Sequence, residues 1–553
     1  MHRAILPPMD TATPTASRTT VGLYAALVVA YVGIAILFTW PLILHFTTHT
    51  PEADASGDQF QTIWFFWWMK KALFALHQNP YWTTDIYFPY GTGLAYHLCP
   101  LTNLVALAVS TITGAAINST SVFNALIVLS FVLTGLAAFT LIRQFSGSTL
   151  AAFWGSIFIV GAPYRIWHLN HLNLLSFGWG ILAVHFALRL LRQPGIRPAI
   201  GAAVCLTAMF HTCLTGTAFT VLLLIGCVLV DWGAFREAAN RRRILMMAAL
   251  SAAIVAVLVV PGLIALRHVD SPWNLRWEDT VQFSAAISDL FVPTTQTSLV
   301  AQWLHLEGGF APGLSSEIFL GWILLAATVA VIVLLRRHAP WRWLVLAAVF
   351  LILSLGPTLK ISGRYLFDGI MPYRWLFDTV PYLGLSRTPG RLAMLGHLCL
   401  VVFCACGFAI WRAQHPGLDR ALRRVPVAII ATLVLIVGLF LEYTRTSIRL
   451  WEMTVPPIYQ QVASDPSIRA IYDGPIAASS QICNRYMYWQ TFHGKKSANG
   501  YITHRSRKAW TLFDRMSQWR QFGDAERAEL RTAGIDAMVW HEESGETRLI
   551  RLP

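Results

Sequence analysis

The sequence has few charged residues: Asp, Glu, Lys and Arg make up 13% of its 553 residues, against about 25% in an average soluble domain. This scarcity excludes a disordered chain and a water-soluble multidomain enzyme. The sequence also lacks a disulfide framework, because six of its eight cysteines lie in apolar runs where thiols pack as small hydrophobic groups. Cys99 and Cys483 are the two that would meet in an oxidising compartment, and the sequence leaves that pairing open.

Apolar residues are abundant instead. They make up 55% of the chain, the mean hydropathy is +0.53, and there are 22 tryptophans. Lipid is the solvent that accommodates so much apolar surface, so the composition predicts a polytopic membrane protein in contact with membrane lipid. The formal net charge of +14 would suggest a nucleic-acid partner in a soluble protein. In a membrane protein such cations collect in cytoplasmic loops, so we predict no nucleic-acid partner.

Eleven apolar runs are predicted to cross the membrane. The first, Val21 to about Leu44, is longer than the core of a cleaved signal peptide and has no small-residue cleavage site, so we interpret it as an uncleaved helix. Several later runs are short for a bilayer core that takes about 20 residues, which leaves their ends uncertain by several residues. These ten runs lie near 119–142, 148–162, 172–191, 198–214, 215–231, 244–264, 318–335, 341–356, 391–411 and 425–442.

Residues 98–117 are also apolar and long enough to span, and charge bias decides how they are interpreted. Arginine clusters follow several spans, and all of them fall on the cytoplasmic side only if an even number of crossings separates Arg18 from Arg143. The first span and 119–142 satisfy that count, whereas a further span at 98–117 breaks it. We therefore predict a re-entrant or juxtamembrane helix at 98–117 and a cytoplasmic N-terminus.

The predicted architecture is an all-α polytopic membrane protein of about 11 transmembrane helices, with juxtamembrane helices in its first external loop. Residues 1–442 form the transmembrane domain, and 443–553 form a small extracytoplasmic α/β domain. That tail holds 15 of the 42 Lys and Arg and 11 of the 28 Asp and Glu, which marks it as polar. The first external loop covers about 45–118, and further external loops lie at 265–317 and 357–390.

The first loop contains an acidic residue directly after a glycine, Gly57-Asp58, and then an aromatic run from Ile63 to Lys71. Ionisable groups near lipid are costly and often mark a functional site. The aromatic run is typical of a helix lying in the headgroup region. A solvated loop acid followed by such an interface anchor is the equally weighted alternative.

The order of several short motifs resembles that of bacterial multi-span proteins of the GT-C glycosyltransferase superfamily. Each motif is weak alone, but together they cover nearly the whole chain. They are Gly57-Asp58 with the aromatic helix, Phe88-Pro89-Tyr90-Gly91 followed by His97, Pro163-Tyr164-Arg165 with His168 and His171, Ser354–Pro357, Ser386–Arg391, Asn499-Gly500-Tyr501 and Gly534–His541.

The resemblance implies a hexosyl- or pentosyltransferase of the bacterial inner membrane that uses a polyprenyl-phosphate-linked sugar donor and an unknown extracytoplasmic acceptor. Asp58 matches the first-loop acid that acts there as catalytic base or positions the acceptor, and His97 is a candidate substrate-binding residue. Better-known branches have an Asp-x-Asp or Asp-Glu pair, whereas here Asp54 and Glu52 are four and six residues from Asp58. A divalent-metal cofactor is therefore left open.

Three candidates for substrate binding, Arg165, His168 and His171, lie in the segment Pro163–His171 at the external end of the span 148–162. The two histidines are three residues apart and share one face if the segment is helical. Two histidines without a third ligand are a weak zinc signal, and polar groups satisfied by helix ends are the more common case. The resemblance favours a third interpretation, in which the three side chains bind phosphate or sugar hydroxyls.

Glu317, Arg387 and Arg391 are further candidates because they adjoin predicted spans on the external side. An unpaired carboxylate at membrane level is costly, which favours a functional role for Glu317. External arginines oppose the charge bias, so Arg387 and Arg391 are predicted to bind the donor phosphate. A structural salt bridge to Glu317 or Asp58 is an equally weighted alternative.

Two functional classes remain from the sequence. The first is a glycosyltransferase with Asp58 as base or acceptor-positioning residue. The second is a non-catalytic polytopic protein, such as a lipid-linked saccharide transporter or an envelope assembly factor. The absence of an internal repeat disfavours a transporter slightly. The tail is either a lid on the membrane body or an acceptor-recognition module, and the sequence does not separate these two roles.

Overall fold

The fold is known from a computed structural model. It describes residues 18–52, 57–114, 117–230, 232, 241–267, 277–293, 298–306, 318–361, 364–368, 371–379, 388–444, 447–476, 482–502, 504–519, 523–542 and 545–552.

The membrane body is almost entirely helical. Its helices are α1 (Arg18–Phe38), α2 (Asp58–Lys70), α3 (Pro100–Thr113), α4 (Ser119–Ser146), α5 (Thr149–Val160), α6 (Pro163–Trp167), α7 (Leu172–Leu175), α8 (Gly178–Arg192), α9 (Ile196–Phe210), α10 (Leu214–Val230), α11 (Arg241–Arg267), α12 (Trp277–Gln282), α13 (Ile287–Phe291), α14 (Leu299–Trp303), α15 (Trp322–Leu335), α16 (Trp341–Ser354), α17 (Pro372–Thr379), α18 (Ala393–Gln414), α19 (Pro416–Leu422) and α20 (Val425–Tyr443). Short strands lie in its loops: β1 (His49–Pro51), β2 (Trp82–Thr83), β3 (Thr92–Gly93), β4 (Thr358–Ile361) and β5 (Arg364–Asp368).

Each of the eleven predicted spans contains a helix. Among the described residues, seven helices are long and apolar enough to cross a membrane. The other four predicted spans correspond to the shorter apolar helices α9, α10, α15 and α16, of 14 to 17 residues. The chain is therefore a multi-pass membrane protein. The first span is shorter than predicted, because α1 ends at Phe38 and a 3₁₀ turn occupies Leu42–His45 after Pro41.

Helix α3 occupies most of the disputed run 98–117. Its 14 residues span about 21 Å, less than the ~30 Å of a bilayer core. Helices α15 and α16 also have 14 residues, so length alone does not separate α3 from the spans. Helix α3 packs against α2 and α4, and this packing on α2 agrees with a juxtamembrane helix in the first external loop.

Helix α4 is at the centre of the body, in contact with α1, α5, α8 and α18. Its Gly135 allows close packing, because a Cβ there would lie 2.6 Å from the ring of Tyr31. The Tyr31 hydroxyl in turn lies 2.6 Å from the Ser156 hydroxyl on α5. The core formed by these helices fixes the segment that precedes α4 and the segment that follows α5, both on the loop side.

The tail is a small α/β module, as the sequence predicts. Its elements are β6 (Leu450–Glu452), α21 (Ile458–Ser464), β7 (Ala470–Gly474), α22 (Ile482–His493), β8 (Lys496–Ser497), α23 (Arg507–Gln518), α24 (Asp524–Thr532), β9 (Ala537–His541) and β10 (Thr547–Arg551). Four strands form a mixed sheet in the order β10-β9-β7-β8, in which β7 is parallel to both neighbours. β6 leaves this sheet and pairs antiparallel with β1 of the first loop.

The tail and the first external loop share one hydrophobic core. Trp64 and Trp68 of α2 are fully buried in a cluster that includes Tyr472 and Met538 of the tail sheet. The indole of Trp64 donates to Gln490 Oε1 at 2.7 Å. The interpretation of the aromatic helix as a headgroup anchor is therefore wrong for Trp64 and Trp68, because protein, and not lipid, covers their indole rings.

The other predicted external loops meet one another. The backbone N–H of Ala285 donates to the carbonyl of Ser354 at 3.0 Å, and Lys360 Nζ donates to the carbonyl of Ser284 at 3.0 Å. The N–H of Leu299 donates to the carbonyl of Thr444 at the start of the tail, at 2.9 Å. These contacts bring the loops around 277–304 and 355–361 together with the tail, as expected for loops on the same side of the helices.

Candidate active site

Asp58 is the first residue of α2. Gly57 precedes it with a φ of +72°, a left-handed conformation that favours glycine, and this turn starts the helix. The carboxylate therefore lies beside the free N–H groups and the positive end of the helix dipole, where negative charge is stabilised. Its side chain is 27% exposed, so the carboxylate is accessible to a ligand.

His171 pairs with Asp58 across the fold. Its Nε2 lies 2.7 Å from Asp58 Oδ2, and its Nδ1 lies 2.7 Å from the side-chain oxygen of Asn170. The imidazole is therefore oriented from both sides, by a carboxylate and by an amide. Within the described chain Asp58 Oδ1 makes no hydrogen bond, which leaves one carboxylate oxygen for a ligand.

His168 lies behind this pair. Its ring meets that of His171 edge-on with centroids 5.4 Å apart, and its Nδ1–H donates to the carbonyl of Tyr164 at 2.7 Å. Burial, with the nearby charges of His171 and Arg391, holds the pKa of His168 well below its usual range. A neutral His168 therefore supports His171 at neutral pH without adding a charge to the site.

The electrostatic surroundings of Asp58 include two more of the predicted residues. Burial raises the pKa of the Asp58 carboxyl, but the charge and hydrogen bond of His171, with His97 and Arg391, outweigh it and hold that pKa below its usual range. Four predicted residues, Asp58, His97, His171 and Arg391, are thus brought to one site. Arg391 belongs to a 3₁₀ turn, Pro389–Leu392, that leads directly into α18.

Arg165 lies apart from this group and is 3% exposed. Its guanidinium donates to the hydroxyls of Ser130 and Thr134 on α4 and to the carbonyls of Val160 and Leu175. These four acceptors show that Arg165 ties α4, α5 and α7 together. Substrate binding by Arg165 stays a prediction.

Glu317 and Arg387 lie outside the described residues, so their predicted roles stay predictions. Among the described residues, no group of three or more His, Cys, Asp or Glu side chains is arranged to hold a metal ion. His168 and His171 take part in hydrogen bonds and ring packing. Cys99 and Cys483 are both free thiols.

An apolar cavity of about 510 Å³ begins next to Arg391. Its walls come from α4, α6, α8 and the first turns of α18, and Arg165 and His397 are the basic side chains among its lining residues: Thr134, Ile159, Ala162, Tyr164, Arg165, Phe177, Ile181, Ile318, Phe319, Ala393, Met394, His397 and Leu398. Its lining suits a hydrocarbon chain.

Asn170 is a site residue that the sequence did not single out. It is fully buried and holds His171 through its side-chain oxygen. The sequence does not predict this role for Asn170, because an asparagine between two histidines has many ordinary structural roles.

Comparison with solved structures shows the same fold in one protein of low sequence identity and a weaker similarity to others. An arabinofuranosyltransferase, AftD from Mycobacteria, is 14% identical with a TM-score of 0.58, over 98% of this chain and 36% of that protein. The archaeal oligosaccharyltransferase AglB from Archaeoglobus fulgidus is 11% identical with a TM-score of 0.46, over 97% of this chain and 75% of AglB. ArnT from Cupriavidus metallidurans is 13% identical with a TM-score of 0.49, over 96% and 94% of the two chains.

This chain thus spans little more than a third of the length of the arabinofuranosyltransferase. No curated protein sequence matches it significantly. A family described as a domain of unknown function, DUF6311, matches residues 27–440, which is most of the chain. The protein therefore belongs to the DUF6311 family, and its fold is that of the GT-C membrane glycosyltransferases.

Proposed function

We propose that this protein is a glycosyltransferase of the bacterial inner membrane. It transfers a sugar from a polyprenyl-phosphate-linked donor to a hydroxyl of an acceptor on the extracytoplasmic side. The observation that carries the proposal is the hydrogen-bonded pair of Asp58 and His171 beside Arg391, within a GT-C fold. A carboxylate held ionised next to a cation provides both a base and an anion-binding group at one site.

In the proposed reaction the acceptor hydroxyl gives its proton to Asp58 while its oxygen bonds to the anomeric carbon of the donor sugar. The bond between that carbon and the phosphate oxygen breaks, and the polyprenyl phosphate leaves with the electron pair. Asp58 Oδ1 is the atom available to accept the proton, because Oδ2 already accepts from His171. Positioned bases of this kind contribute about 10²- to 10⁴-fold in rate.

Arg391 is the group proposed to stabilise the leaving phosphate. Its positive charge acts on both Asp58 and His168. The adjoining apolar cavity lies beyond Arg391 along α18 and would accept the first isoprenoid units of the donor. A guanidinium binds phosphate in two-pronged fashion, and Arg387 stays a second predicted phosphate ligand.

Substitution of Asp58 by Asn tests the proposal. We expect Asp58→Asn to insert and fold normally but to lose at least about 10²-fold in the release of polyprenyl phosphate from labelled polyprenyl-phosphate sugars. Asp524→Asn, a matched change at a fully exposed tail carboxylate, should leave transfer unchanged. Transfer retained by Asp58→Asn would reject Asp58 as the base. Absence of transfer by the unsubstituted protein would favour the alternative, a lipid-linked saccharide transporter or assembly factor.

A further inference from the structure

A second cavity, of about 520 Å³, lies on the loop side of the membrane body. The first-loop segment 95–100, the turn between α9 and α10, and the end of α11 enclose it. It is lined by Tyr81, Ala95, Tyr96, Leu98, Cys99, Pro100, Asn173, Phe210, His211, Thr212, Cys213, Leu214, Thr215, Gly262 and Leu266. In contrast to the cavity beside Arg391, its lining is rich in hydroxyl and amide groups.

Three of these polar groups are available to a ligand. The phenol of Tyr81, the amide of Asn173 and the hydroxyl of Thr215 make no hydrogen bond to the described part of the chain, and all three side chains are half-buried. Among the residues that the structure describes, no Asp, Glu, Lys or Arg lines the cavity. An amide and two hydroxyls that both donate and accept match the hydroxyls of a sugar, whereas an anion buried here would lack a partner.

This cavity adjoins the Asp58 site. Tyr96 and Leu98 flank His97, and Asn173 follows His171 by two residues, so the same short segments line the cavity and carry the predicted site residues. A ring bound in the cavity would therefore lie next to the carboxylate.

The tail packs against one of the residues that line this cavity. His504 stacks on Tyr96 with ring centroids 4.0 Å apart and an interplanar angle of 22°, and it lies 6.2 Å from the ring of His97. Tyr96 is held by this contact in one orientation. The tail thus fixes an aromatic wall of the cavity, a surface that sugar rings commonly contact in proteins.

We propose that this cavity binds an uncharged sugar ring of a substrate, through Tyr81, Asn173 and Thr215. The proposal rests on the glycosyl transfer proposed above and specifies the substrate: a neutral saccharide, and not a uronic acid or a phosphorylated sugar. The ring is either the sugar that is transferred or the end of the acceptor. The two kinds of ring have the same chemistry, and they are distinguished by whether the sugar donor competes with a free sugar for the cavity.

The test is saturation-transfer NMR on the full-length protein in lipid nanodiscs. Free glucose, galactose, mannose, arabinose and N-acetylglucosamine serve as neutral probes, and galacturonate serves as the charged probe. We expect at least one neutral sugar to bind and galacturonate not to bind. Thr215→Val should weaken that binding about fivefold and Asn173→Leu about tenfold, because each removes hydrogen bonds.

Thr217→Val is the matched control. Thr217 lies two residues after Thr215 on α10, but its hydroxyl donates to the carbonyl of Cys213 and it does not line the cavity. Equal weakening by Thr217→Val, equal binding of galacturonate, or no binding of any neutral sugar would overturn the proposal.

Asp58→Asn separates this inference from the proposed function. It should keep sugar binding while it loses transfer, so absent binding counts against the cavity alone and retained transfer counts against the catalytic assignment alone. A short-chain polyprenyl-phosphate sugar then identifies the source. If it displaces the free sugar, the cavity holds the transferred sugar, and if both bind together, the cavity holds the acceptor.

Discussion

Two opposing effects act on the carboxyl group of Asp58. Burial favours the neutral acid, whereas the hydrogen bond and charge of His171 favour the carboxylate and prevail, so the pKa of Asp58 is lowered. Asn170 contributes indirectly, because it fixes the His171 ring from its other nitrogen. The pair is thus a base that stays ionised well below neutral pH but depends on its partner to do so.

The pH profile of transfer should report this dependence. Because the pKa of Asp58 is lowered in the folded protein, the base is lost only when the pH falls below the ordinary range of a carboxyl group. His171→Asn removes the imidazole whose hydrogen bond and electrostatic influence lower the pKa of Asp58, so the acid limb of the rate profile should move to higher pH. The exposed His338→Asn is the control, and an unmoved acid limb in His171→Asn would contradict the assignment.

Helix α2 shows what one element contributes at the next scale. Phe60 and Ile63 belong to the core of the membrane body, whereas Trp64 and Trp68 belong to the core shared with the tail. Asp58 begins this same helix. The position of the proposed base therefore depends on the membrane body on one side and on the tail on the other.

Gln490 is the polar centre of that shared core. It is fully buried, accepts from Trp64 and donates to the carbonyls of Asp85 and Lys495 at 2.6 and 2.9 Å. Gln490→Leu leaves these partners buried and unpaired, so we expect at least about 2 kcal/mol of destabilisation. Denaturation followed by tryptophan fluorescence measures it. The exposed Gln461→Leu should change stability by less than about 0.5 kcal/mol, and equal effects would show that the buried hydrogen bonds are unimportant.

For the whole molecule, the contacts among the first loop, the later loops and the tail place these segments on one side of the helices. Which side faces the periplasm is a prediction from the positions of the arginines. The structure offers two exposed positions that test it, Asp524 on the tail and Arg337 in the turn between α15 and α16.

Cysteine labelling at these positions decides the orientation. In spheroplasts, a membrane-impermeant maleimide should label Asp524→Cys directly and Arg337→Cys only after permeabilisation, because the tail is predicted to be extracytoplasmic. The eight native cysteines are buried or half-buried, which keeps the background low. The opposite labelling pattern would reverse the orientation and show that a crossing was missed.

The elements defined by local sequence were predicted best. The span predicted near 119–142 is the helix Ser119–Ser146, and the span predicted near 425–442 is the helix Val425–Tyr443. The aromatic run of α2 was misassigned, because a pattern of aromatic residues shows that a surface is buried but not whether lipid or protein buries it. Gln490 gave no local signal of its partners Trp64 and Asp85, since they lie more than four hundred residues away.

The sequence by itself determined that this is a multi-pass membrane protein and where its apolar helices lie. Those properties follow from the length and composition of contiguous segments. Only the tertiary structure decided that Asp58 pairs with His171, that Arg165 is tied to neighbouring helices, and that the tail completes the first loop. These depend on packing between distant segments, because a side chain acquires its partners only when helices from different parts of the chain come together.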